Sequence, residues 1–581
     1  MRLNLPVMRS PGARLLFLTN GVVIVAILLW TNHLSHSGDT HGLTTIFLTL
    51  FAIGDYAGAN CALLVLLAAV FVAGRYSFKP LLQWLGDNPG LVAVAAGVVL
   101  AGGVWVVYGN TPLCMDEYSP YFQSRVFAAG HLAGQVPQDL LDWVVPHGFQ
   151  DYFLNVSHGS GRIISAYWPS FALLLTPFVW LGIPWACNPL ISALTLIAVH
   201  RVALAVFSSR EAAGLALLLT IASPVFFANG ISYYSMPAHL LANTVFALLL
   251  IEPTARKALT AGVLGSVALT LHNPVPHMLF AAPWIISILR RPGGLRLSGW
   301  LFAGYLPLCL ILGVGWFLYS SNLTHEGMSV AAGASSASDT LLQMGSAFTL
   351  PSSTILLARL IGIAKLWVWA VPGLILLAIV GGWKWRHNRA CLLLAGSAIL
   401  TFLGYFFVPF DQGHGWGFRY FHSAWAALPI LAAGALIRPP GVAPGDAVER
   451  GVAIFEDAGT RSFLVACALF CLVAGSGFRA LQMHTFITKD QRQVPAYLGK
   501  ERQVVIIDPS HSFYGTDLVR NDPWLRGPVI RMITHGASAD AHMMHAHFPD
   551  MRLVYTDRYG TVWSAQHDAD DKSPLASRAA L

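Results

Sequence analysis

The sequence predicts an all-α polytopic membrane protein with a small α/β domain outside the membrane at its C-terminal end. Of its 581 residues, 55% are hydrophobic and only 11% are charged, whereas soluble domains carry about 25% charged residues. The apolar residues come in blocks of about 17–22, the length that crosses a hydrocarbon core of about 30 Å. We therefore expect about 13–14 transmembrane helices, and an ordinary cytosolic enzyme is excluded.

The distribution of basic residues predicts which loops face the cytoplasm. The net charge is +7, but the arginines and lysines lie in short loops between apolar blocks, as the positive-inside rule describes. We place the N-terminus and the basic loops 290–296, 383–389 and 438–461 in the cytoplasm, and the loop 110–166 outside. No basic run resembles a nucleic-acid surface, so nucleic acid is not an expected partner. We expect an integral protein of a bacterial inner membrane.

This topology divides the chain into three parts. Residues 1–89 form N-terminal transmembrane helices, residues 90–481 a transmembrane core with the long external loop, and residues 482–581 an extracytoplasmic α/β domain with a disordered tail. Between Trp168 and Phe227, three apolar runs connect two loops that require the same side of the membrane. One of these runs is therefore expected to be re-entrant or half-spanning, unless a segment is divided wrongly.

The C-terminal part has a soluble composition with alternating patterns. Short strands are predicted at residues 502–509, 528–535, 551–557 and 561–563. Residues 539–548 predict one short helix, on which His542 and His545 share a face with His547 nearby. No further ligand at a known zinc spacing accompanies them. We interpret these histidines as structural or surface residues.

The most informative segment is GNTPLCMDEYSPYFQSRVFAAGHLAG at residues 109–134, which follows the third apolar run. Asp116 and Glu117 are adjacent acids where the chain leaves the membrane, and Ser119 and Pro120 suit the first turn of a helix. From spacing alone, two interpretations are open. The acids are caps that complement the helix dipole, or they are carboxylates that take part in catalysis.

The same segment resembles the first external loop of the GT-C glycosyltransferases, most closely the branch of protein O-mannosyltransferases and lipid A aminoarabinose transferases. The residues that carry the resemblance are Asp116, Glu117, Tyr121, Ala129, Gly130, His131 and Leu132. An Ala-Tyr-Trp-Pro run at 166–169, an Ile-Ala-Ser-Pro run at 221–224 and the soluble C-terminal part also fit. Two apolar runs precede the helix with which the resemblance begins.

The resemblance implies a GT-C-like fold and transfer of a sugar from a polyprenyl-phosphate donor to a lipid, glycan or protein acceptor on the external face. It implies that Asp116 takes the acceptor proton as base, with inversion at the anomeric carbon, and that Glu117 is the second catalytic candidate. A phosphate leaving group needs little protonation, so one carboxylate suffices. No cofactor is certain, because members of the superfamily differ in their use of a divalent metal ion.

The departing phosphate needs a cation or several hydrogen-bond donors. The first candidate is Arg419 in DQGHGWGFRYFH at residues 411–422, beside His414 and His422 and among glycines that let backbone N–H groups approach an anion. Without the resemblance, Arg419 would be a snorkelling boundary residue. The further candidates for binding substrate are Arg162, Tyr234, His239, His272 and His131. Taken singly, the aromatic and histidine candidates also fit interfacial residues or helix caps.

Two other functions are open, a transporter or flippase of a lipid-linked or polar substrate and a non-catalytic assembly protein. Transporters place ionisable residues within their membrane helices and often contain internal repeats. The apolar runs here hold almost no acids or bases and show no convincing repeat, which favours the enzyme. Residues 320–354, rich in Ser, Ala and Gly, are expected to form a mobile lid or an unstructured spacer.

Overall fold

The structure is a computed structural model, and it describes residues 9–326, 349–438, 453–495 and 501–565. The expected disordered tail after residue 565 lies outside the described residues. Residues 327–348, which make up most of the expected lid or spacer, also lie outside them.

Helices make up most of the described chain. In chain order they are α1 (Pro11–Ser37), α2 (Thr45–Val72), α3 (Lys79–Asp87), α4 (Pro89–Val106), α5 (Met115–Ala128), α6 (Leu141–Val144), α7 (Ser170–Trp180), α8 (Pro184–Phe207), α9 (Arg210–Ile221), α10 (Pro224–Gly230), α11 (Met236–Ile251), α12 (Ala255–Leu269), α13 (Val275–Leu289), α14 (Gly294–Thr324), α15 (Ser353–Val368), α16 (Leu374–Lys384), α17 (Arg389–Phe407), α18 (Ala427–Ala435), α19 (Ala458–Gln491) and α20 (Ala537–His547).

The described helices make this a polytopic membrane protein, as predicted. Seven are long and apolar enough to cross a membrane, namely α1, α2, α4, α8, α14, α17 and α19, and the pair α9 and α10, bent by 64°, is an eighth candidate. Four shorter apolar helices accompany them, namely α7, α11, α13 and α16. Full-length spans are thus fewer than the about 13–14 expected. The difference arises because glycine and proline, as at Gly182 and Pro224, end helices inside the apolar blocks.

One short helix bears on the uneven number of apolar runs between Trp168 and Phe227. Helix α7 has 11 residues and is therefore about 16 Å long, roughly half of a hydrocarbon core of about 30 Å. The next helix, α8, has 24 residues and is long enough to cross completely. Of the three runs, α7 therefore has the length of the half-spanning segment that the loop charges require.

A few ionisable side chains are buried in the helices, two of them in candidate membrane spans, where the sequence analysis found almost none. Asp55 of α2, Lys365 of α15 and Arg479 of α19 are at most 2% exposed. Lys365 Nζ lies 2.7 Å and Arg479 Nη2 lies 3.0 Å from oxygens of the Asp55 carboxylate. The sequence did not predict this cluster, because the three side chains lie on helices that are distant in sequence.

Two small sheets lie outside these helices. Their strands are β1 (Gly134–Gln135), β2 (Leu154–Val156), β3 (Arg162–Ser165), β4 (Gln503–Ile507), β5 (Val529–Ile533), β6 (Met551–Asp557) and β7 (Gly560–Ala565). The first sheet is antiparallel with the order β1-β3-β2, and the second has the order β5-β4-β7-β6 with only β4 and β5 parallel. The four C-terminal strands and α20 confirm the strands and the helix predicted there.

The C-terminal sheet packs against the helix that carries the two adjacent acids. Val504 and Ile506 of β4 share a buried apolar cluster with Tyr118 and Phe122 of α5. The Tyr118 hydroxyl also donates a 2.5 Å hydrogen bond to the Asn521 carbonyl oxygen. The α/β part is therefore docked on the first turns of α5.

Candidate active site

A cavity of about 630 Å³ lies where α5 begins. Five segments that are distant in sequence supply most of its walls, namely residues 114–116, 148–167, 272–275, 405–420 and 514–517. Four of them belong to the membrane part and its loops, and the fifth belongs to the C-terminal α/β part. The fold thus brings together polar residues that the sequence spreads over four hundred positions.

Asp116 lies in the first turn of α5 and faces this cavity. Its Oδ2 accepts a 2.8 Å bond from Arg419 Nη1, and its Oδ1 accepts a bond from the Tyr167 hydroxyl. Burial by itself raises the pKa of Asp116, but the Arg419 guanidinium, His272 and the Tyr167 bond outweigh it and hold the pKa below the usual value. Asp116 is therefore an ionised carboxylate at neutral pH.

Glu117, the second predicted catalytic acid, does not line the cavity. Its side chain is fully buried and accepts hydrogen bonds from the Tyr108 hydroxyl at 2.5 Å and from the Leu113 N–H at 2.6 Å. Burial raises the pKa of Glu117 to about 7, although these two bonds act in the opposite direction. The contacts of Glu117 are those of a residue that fixes the turn before α5, the capping interpretation of the acid pair.

Arg419 is buried in the wall of the cavity, at the start of the 3-10 turn Arg419–Ala424. Besides its bond to Asp116, the guanidinium donates from Nη2 to the Gln412 carbonyl oxygen. It also lies 4.7 Å from the centre of the Tyr234 ring. Its Nε is buried and has no hydrogen-bond partner among the described residues. One nitrogen of the guanidinium is therefore not used for hydrogen bonding within the described residues.

Residues 411–419, which we call the glycine loop, carry Arg419 to the cavity. Positive φ angles occur at three of its glycines, 58° at Gly413, 142° at Gly415 and 68° at Gly417, and only glycine adopts such angles readily. The loop folds back on itself, because the Gln412 side chain donates to the Gly417 carbonyl oxygen and accepts from the Arg419 N–H, both at 2.9 Å.

Two of the predicted histidines line the cavity. His414 Nδ1 is 3.1 Å from the Tyr234 hydroxyl oxygen, and its buried Nε2 has no partner in the part of the chain that is described. The His272 ring centre lies 4.0 Å from that of Tyr167. Burial lowers the pKa of His414 to about 3 and that of His272 to about 4. Both are therefore neutral at physiological pH and can donate or accept hydrogen bonds without adding charge.

Three predicted residues lie behind the cavity wall. Tyr234, His239 and His422 are at most 2% exposed, and none of them lines the cavity. Tyr234 still bears on the site, because its ring faces Arg419 and its hydroxyl contacts His414. The two ring nitrogens of His239 have no partner among the described residues.

Arg162 and His131 lie away from the cavity and do not line it. Arg162, on β3, forms an ion pair with Glu326. The His131 ring centre lies 5.7 Å from that of Trp524 in the α/β part. The structure therefore does not bring either residue to the carboxylate of Asp116.

Comparison with known proteins gives one line of similarity, to solved structures. The chain is similar to the crystal structure of ArnT from Cupriavidus metallidurans bound to undecaprenyl phosphate, with 15% identity over 81% of this chain and 97% of that chain, and a TM-score of 0.48. The apo state of the same protein is similar with 15% identity, the same coverage and a TM-score of 0.47. No family model and no curated protein matches the chain. The likeness is one of fold alone.

Several polar cavity residues were not among the candidates predicted from the sequence, including Tyr167, Asp411, Tyr514 and Asp517. Tyr167 belongs to the Ala-Tyr-Trp-Pro run, and its position at the start of a membrane helix could have marked it as a site candidate. Asp411 opens the glycine loop and accepts bonds from the Thr44 N–H at 2.7 Å and the Thr44 hydroxyl at 2.8 Å. Tyr514 and Asp517 carry no local signal, because only the docking of the α/β part brings them to the cavity.

A divalent metal ion was compatible with the external acids and histidines. Within residues 9–326, 349–438, 453–495 and 501–565, no three His, Cys, Asp or Glu side chains are grouped so that they could hold a metal ion. Asp116 is instead paired with the guanidinium of Arg419.

Proposed function

We propose that this protein is a membrane glycosyltransferase that moves a sugar from a polyprenyl-phosphate donor to an acceptor at the extracytoplasmic face. The observation that carries the proposal is one cavity that contains an ionised carboxylate, Asp116, and a buried guanidinium, Arg419. A carboxylate base and a cation for the departing phosphate are the two groups that the reaction needs.

Asp116 is the proposed base. The acceptor hydroxyl oxygen attacks the anomeric carbon opposite the phosphate, the bond from that carbon to the phosphate oxygen breaks, and the configuration inverts. The hydroxyl proton goes to the Asp116 carboxylate, and the electron pair of the broken bond leaves with the lipid phosphate. The lowered pKa of Asp116 keeps it ionised before the step. A weak base suffices because the attacking oxygen becomes acidic as its new bond forms.

Two buried donors support a phosphate position in the cavity. Arg419 Nε and His414 Nε2 have no partner among the described residues, and an unpaired buried polar group costs about 1–3 kcal/mol. Both nitrogens are buried, so a phosphate oxygen can accept from them only after the two side chains rotate toward the cavity. Neutral His414 donates from Nε2 when its Nδ1 accepts from the Tyr234 hydroxyl, which lies 3.1 Å away.

The charges of the loops support the proposed orientation. The positive-inside rule favours a cytoplasmic N-terminus and cytoplasmic basic loops, which supports an extracytoplasmic cavity and α/β part. The membrane proposed is a bacterial inner membrane. A polyprenyl-phosphate sugar meets a lipid, glycan or protein acceptor on that side. The three-part division at residues 89 and 481 is part of the same proposal.

The transporter or flippase alternative has one observation in its favour, the buried charges of Asp55, Lys365 and Arg479, two of them in candidate membrane spans. These side chains pair with one another, and none of them lines the cavity that contains Asp116. They therefore do not form a polar path through that cavity. A non-catalytic assembly protein does not explain why a carboxylate is held ionised there.

The decisive experiment measures sugar transfer by the purified protein in detergent with a panel of polyprenyl-phosphate sugars. Asp116→Asn removes the base with little change of shape, and we expect transfer to fall about 100-fold or more, the usual scale for a lost general base. Asp139→Asn is the matched control and should keep the wild-type rate. It removes a carboxylate of the same external loop that is 65% exposed and contacts only His547 among described ion pairs.

Each outcome has a distinct meaning. Equal transfer by the wild type and a folded Asp116→Asn variant would remove Asp116 from the role of base and direct attention to Glu117. No transfer from any donor, with the panel active on a control enzyme, would favour the transporter or the assembly protein.

A further inference from the structure

A second cavity, of about 410 Å³, lies between α2, α15 and α19. Asp55, Lys365 and Arg479 line it, together with Trp369 and Trp416. We call it the Asp55 cavity. None of the residues proposed for sugar transfer lines it, although Trp416 belongs to the glycine loop. Asp55 lies on one of the two apolar runs that precede the resemblance to the GT-C loop.

The charges in the Asp55 cavity do not balance. Two cations, Lys365 and Arg479, pair with the single carboxylate of Asp55 at 2.7 Å and 3.0 Å. The Trp369 indole N–H donates to the same carboxylate at 2.6 Å. In the described chain, Lys365 Nζ has no hydrogen-bond acceptor other than Asp55. The buried cluster therefore carries one net positive charge, and uncompensated charge is costly in such a place.

The backbone around this cluster is shaped to hold the guanidinium. A Cβ at Gly58 would overlap Arg479, so only glycine leaves room for it. On its other side, the Arg479 guanidinium lies 3.9 Å from the centre of the Trp369 ring. The π-helical turns Leu50–Asp55 and Cys471–Gly475 stand at Asp55 and just before Arg479. Such turns interrupt helices most often at functional sites.

Helix lengths indicate that the cluster lies near the depth of the lipid headgroups. At 1.5 Å per residue, Arg479 is about 32 Å along α19 from its first residue, and Asp55 is about 26 Å from the last residue of α2. Both distances are close to the hydrocarbon thickness of about 30 Å. The cluster therefore belongs at the end of the hydrocarbon layer, where tryptophans such as Trp369 and Trp416 are common.

The rim of the Asp55 cavity is apolar and faces outward from the protein. Ile53 and Leu481 line the cavity and are 66% and 64% exposed. An exposed apolar rim next to the headgroup layer contacts the lipid chains. Beyond it, exposed Lys489 lies about 15 Å further along α19 than Arg479. The cavity thus offers a cationic end and an apolar end, which suits an amphipathic anion.

We propose that the Asp55 cavity binds the phosphate of an anionic membrane phospholipid. Lys365 Nζ donates to the phosphate oxygens, and the lipid chains pack along Ile53 and Leu481. Arg479 contributes its positive charge, because its Nη groups already donate to Asp55, Gln482 and the carbonyl oxygens of Gly54 and Val368. A phosphodiester carries one negative charge and balances the one net positive charge. A phosphomonoester carries about −1.5 to −2 at neutral pH, so a free polyprenyl phosphate fits the charge less well. A polyprenyl-phosphate sugar is also a phosphodiester, so it is the competitor that the test has to exclude.

The test measures which lipids the purified full chain retains. Protein reconstituted with equal amounts of phosphatidylglycerol and phosphatidylcholine is stripped with detergent, and bound lipid is counted by native mass spectrometry. We expect the wild type to retain phosphatidylglycerol preferentially. Lys365→Met removes the excess charge but leaves Arg479 paired with Asp55, so it should lower this retention about tenfold, the scale of one lost charge-assisted bond.

The matched control is Lys384→Met. Lys384 is also a mostly buried lysine, 7% exposed, and it pairs at 2.8 Å with Glu456 elsewhere in the chain. There the second cation, Arg438, is 59% exposed, so solvent balances its charge. Retention by Lys384→Met should match the wild type, because it lies outside the Asp55 cavity.

A wild-type measurement keeps the proposal testable if Lys365→Met does not fold. A photoreactive phosphatidylglycerol should label peptides of α2, α15 and α19 in the unaltered protein. Labelling confined to other helices, equal retention of the two phospholipids, or unchanged retention by a folded Lys365→Met variant would overturn the proposal. Displacement of phosphatidylglycerol by an equimolar polyprenyl-phosphate sugar would overturn the choice of a phospholipid. None of these measurements requires sugar transfer, so their result does not depend on whether the proposed function is correct.

Discussion

At the scale of the residue, the pKa of Asp116 depends on neighbours that outweigh the effect of burial, above all Arg419. Arg419→Gln removes the nearby positive charge, so the pKa of Asp116 should rise. Because a base acts only when ionised, the acid limb of kcat/KM for sugar transfer should move to higher pH. Arg125→Gln is the control, since Arg125 lies on α5 beside the Tyr121 ring, 6.0 Å from its centre. An acid limb that does not move in Arg419→Gln would contradict the role of Asp116.

The sequence could predict the site residues that are charged and lie next to apolar runs. An acid pair and a lone arginine at membrane boundaries stand out, and Asp116 and Arg419 do line one cavity. The sequence could not say which acid faces the cavity. That depends on the direction of the first turn of α5, which is set by the bonds of Glu117 to Tyr108 and to the Leu113 N–H.

At the scale of the element, the glycine loop is constrained by space as well as by φ. Gly417→Ala requires a side chain at φ 68° and places a Cβ 2.7 Å from Val225 Cγ2. Gly413→Ala is the matched control, because its φ is 58° but a Cβ there has nothing within 4 Å. Each change costs about 1–2 kcal/mol of backbone strain, and Gly417→Ala adds the overlap. Gly417→Ala should therefore have the lower melting temperature in detergent and the slower transfer, and equal values would contradict this.

The elements themselves were predictable to different degrees. The C-terminal strands were found because alternation marks both their presence and their ends. The apolar runs predicted that membrane helices are present but not how long each helix is, because a continuous apolar run does not show where a helix stops or bends. The 64° bend between α9 and α10 at Pro224 and the 11 residues of α7 illustrate this. The buried cluster at Asp55 was missed because each helix carries only one of its charges.

At the scale of the whole molecule, the α/β part completes the cavity rather than standing apart from it. Asp517 and Tyr514 line the cavity, and Asp517 Oδ1 accepts a 3.0 Å bond from the Met115 N–H, next to Asp116. Burial raises the pKa of Asp517 to about 7. Sequence alone could not show this, because the contact joins segments about four hundred residues apart and depends on docking.

Arg520 joins the α/β part to the turn before α5. It donates to the carbonyl oxygens of Pro112 and Leu113 in the turn before α5, the latter at 2.6 Å, and to that of Asp517. Bonds from a charged donor contribute about 1.5–3 kcal/mol each. Arg520→Ala should therefore loosen the turn that places Asp116, although Arg520 does not line the cavity.

We expect faster hydrogen–deuterium exchange in residues 112–118 of Arg520→Ala and a transfer rate that falls about tenfold or more, because small misplacements of a catalytic group lower kcat strongly. Arg558→Ala is the control, since Arg558 packs on Tyr559 in the same α/β part, 4.7 Å from its ring centre. It should change neither quantity. Wild-type exchange and rate in Arg520→Ala would mean that the membrane part places Asp116 unaided, and the α/β part would then need a role away from the cavity.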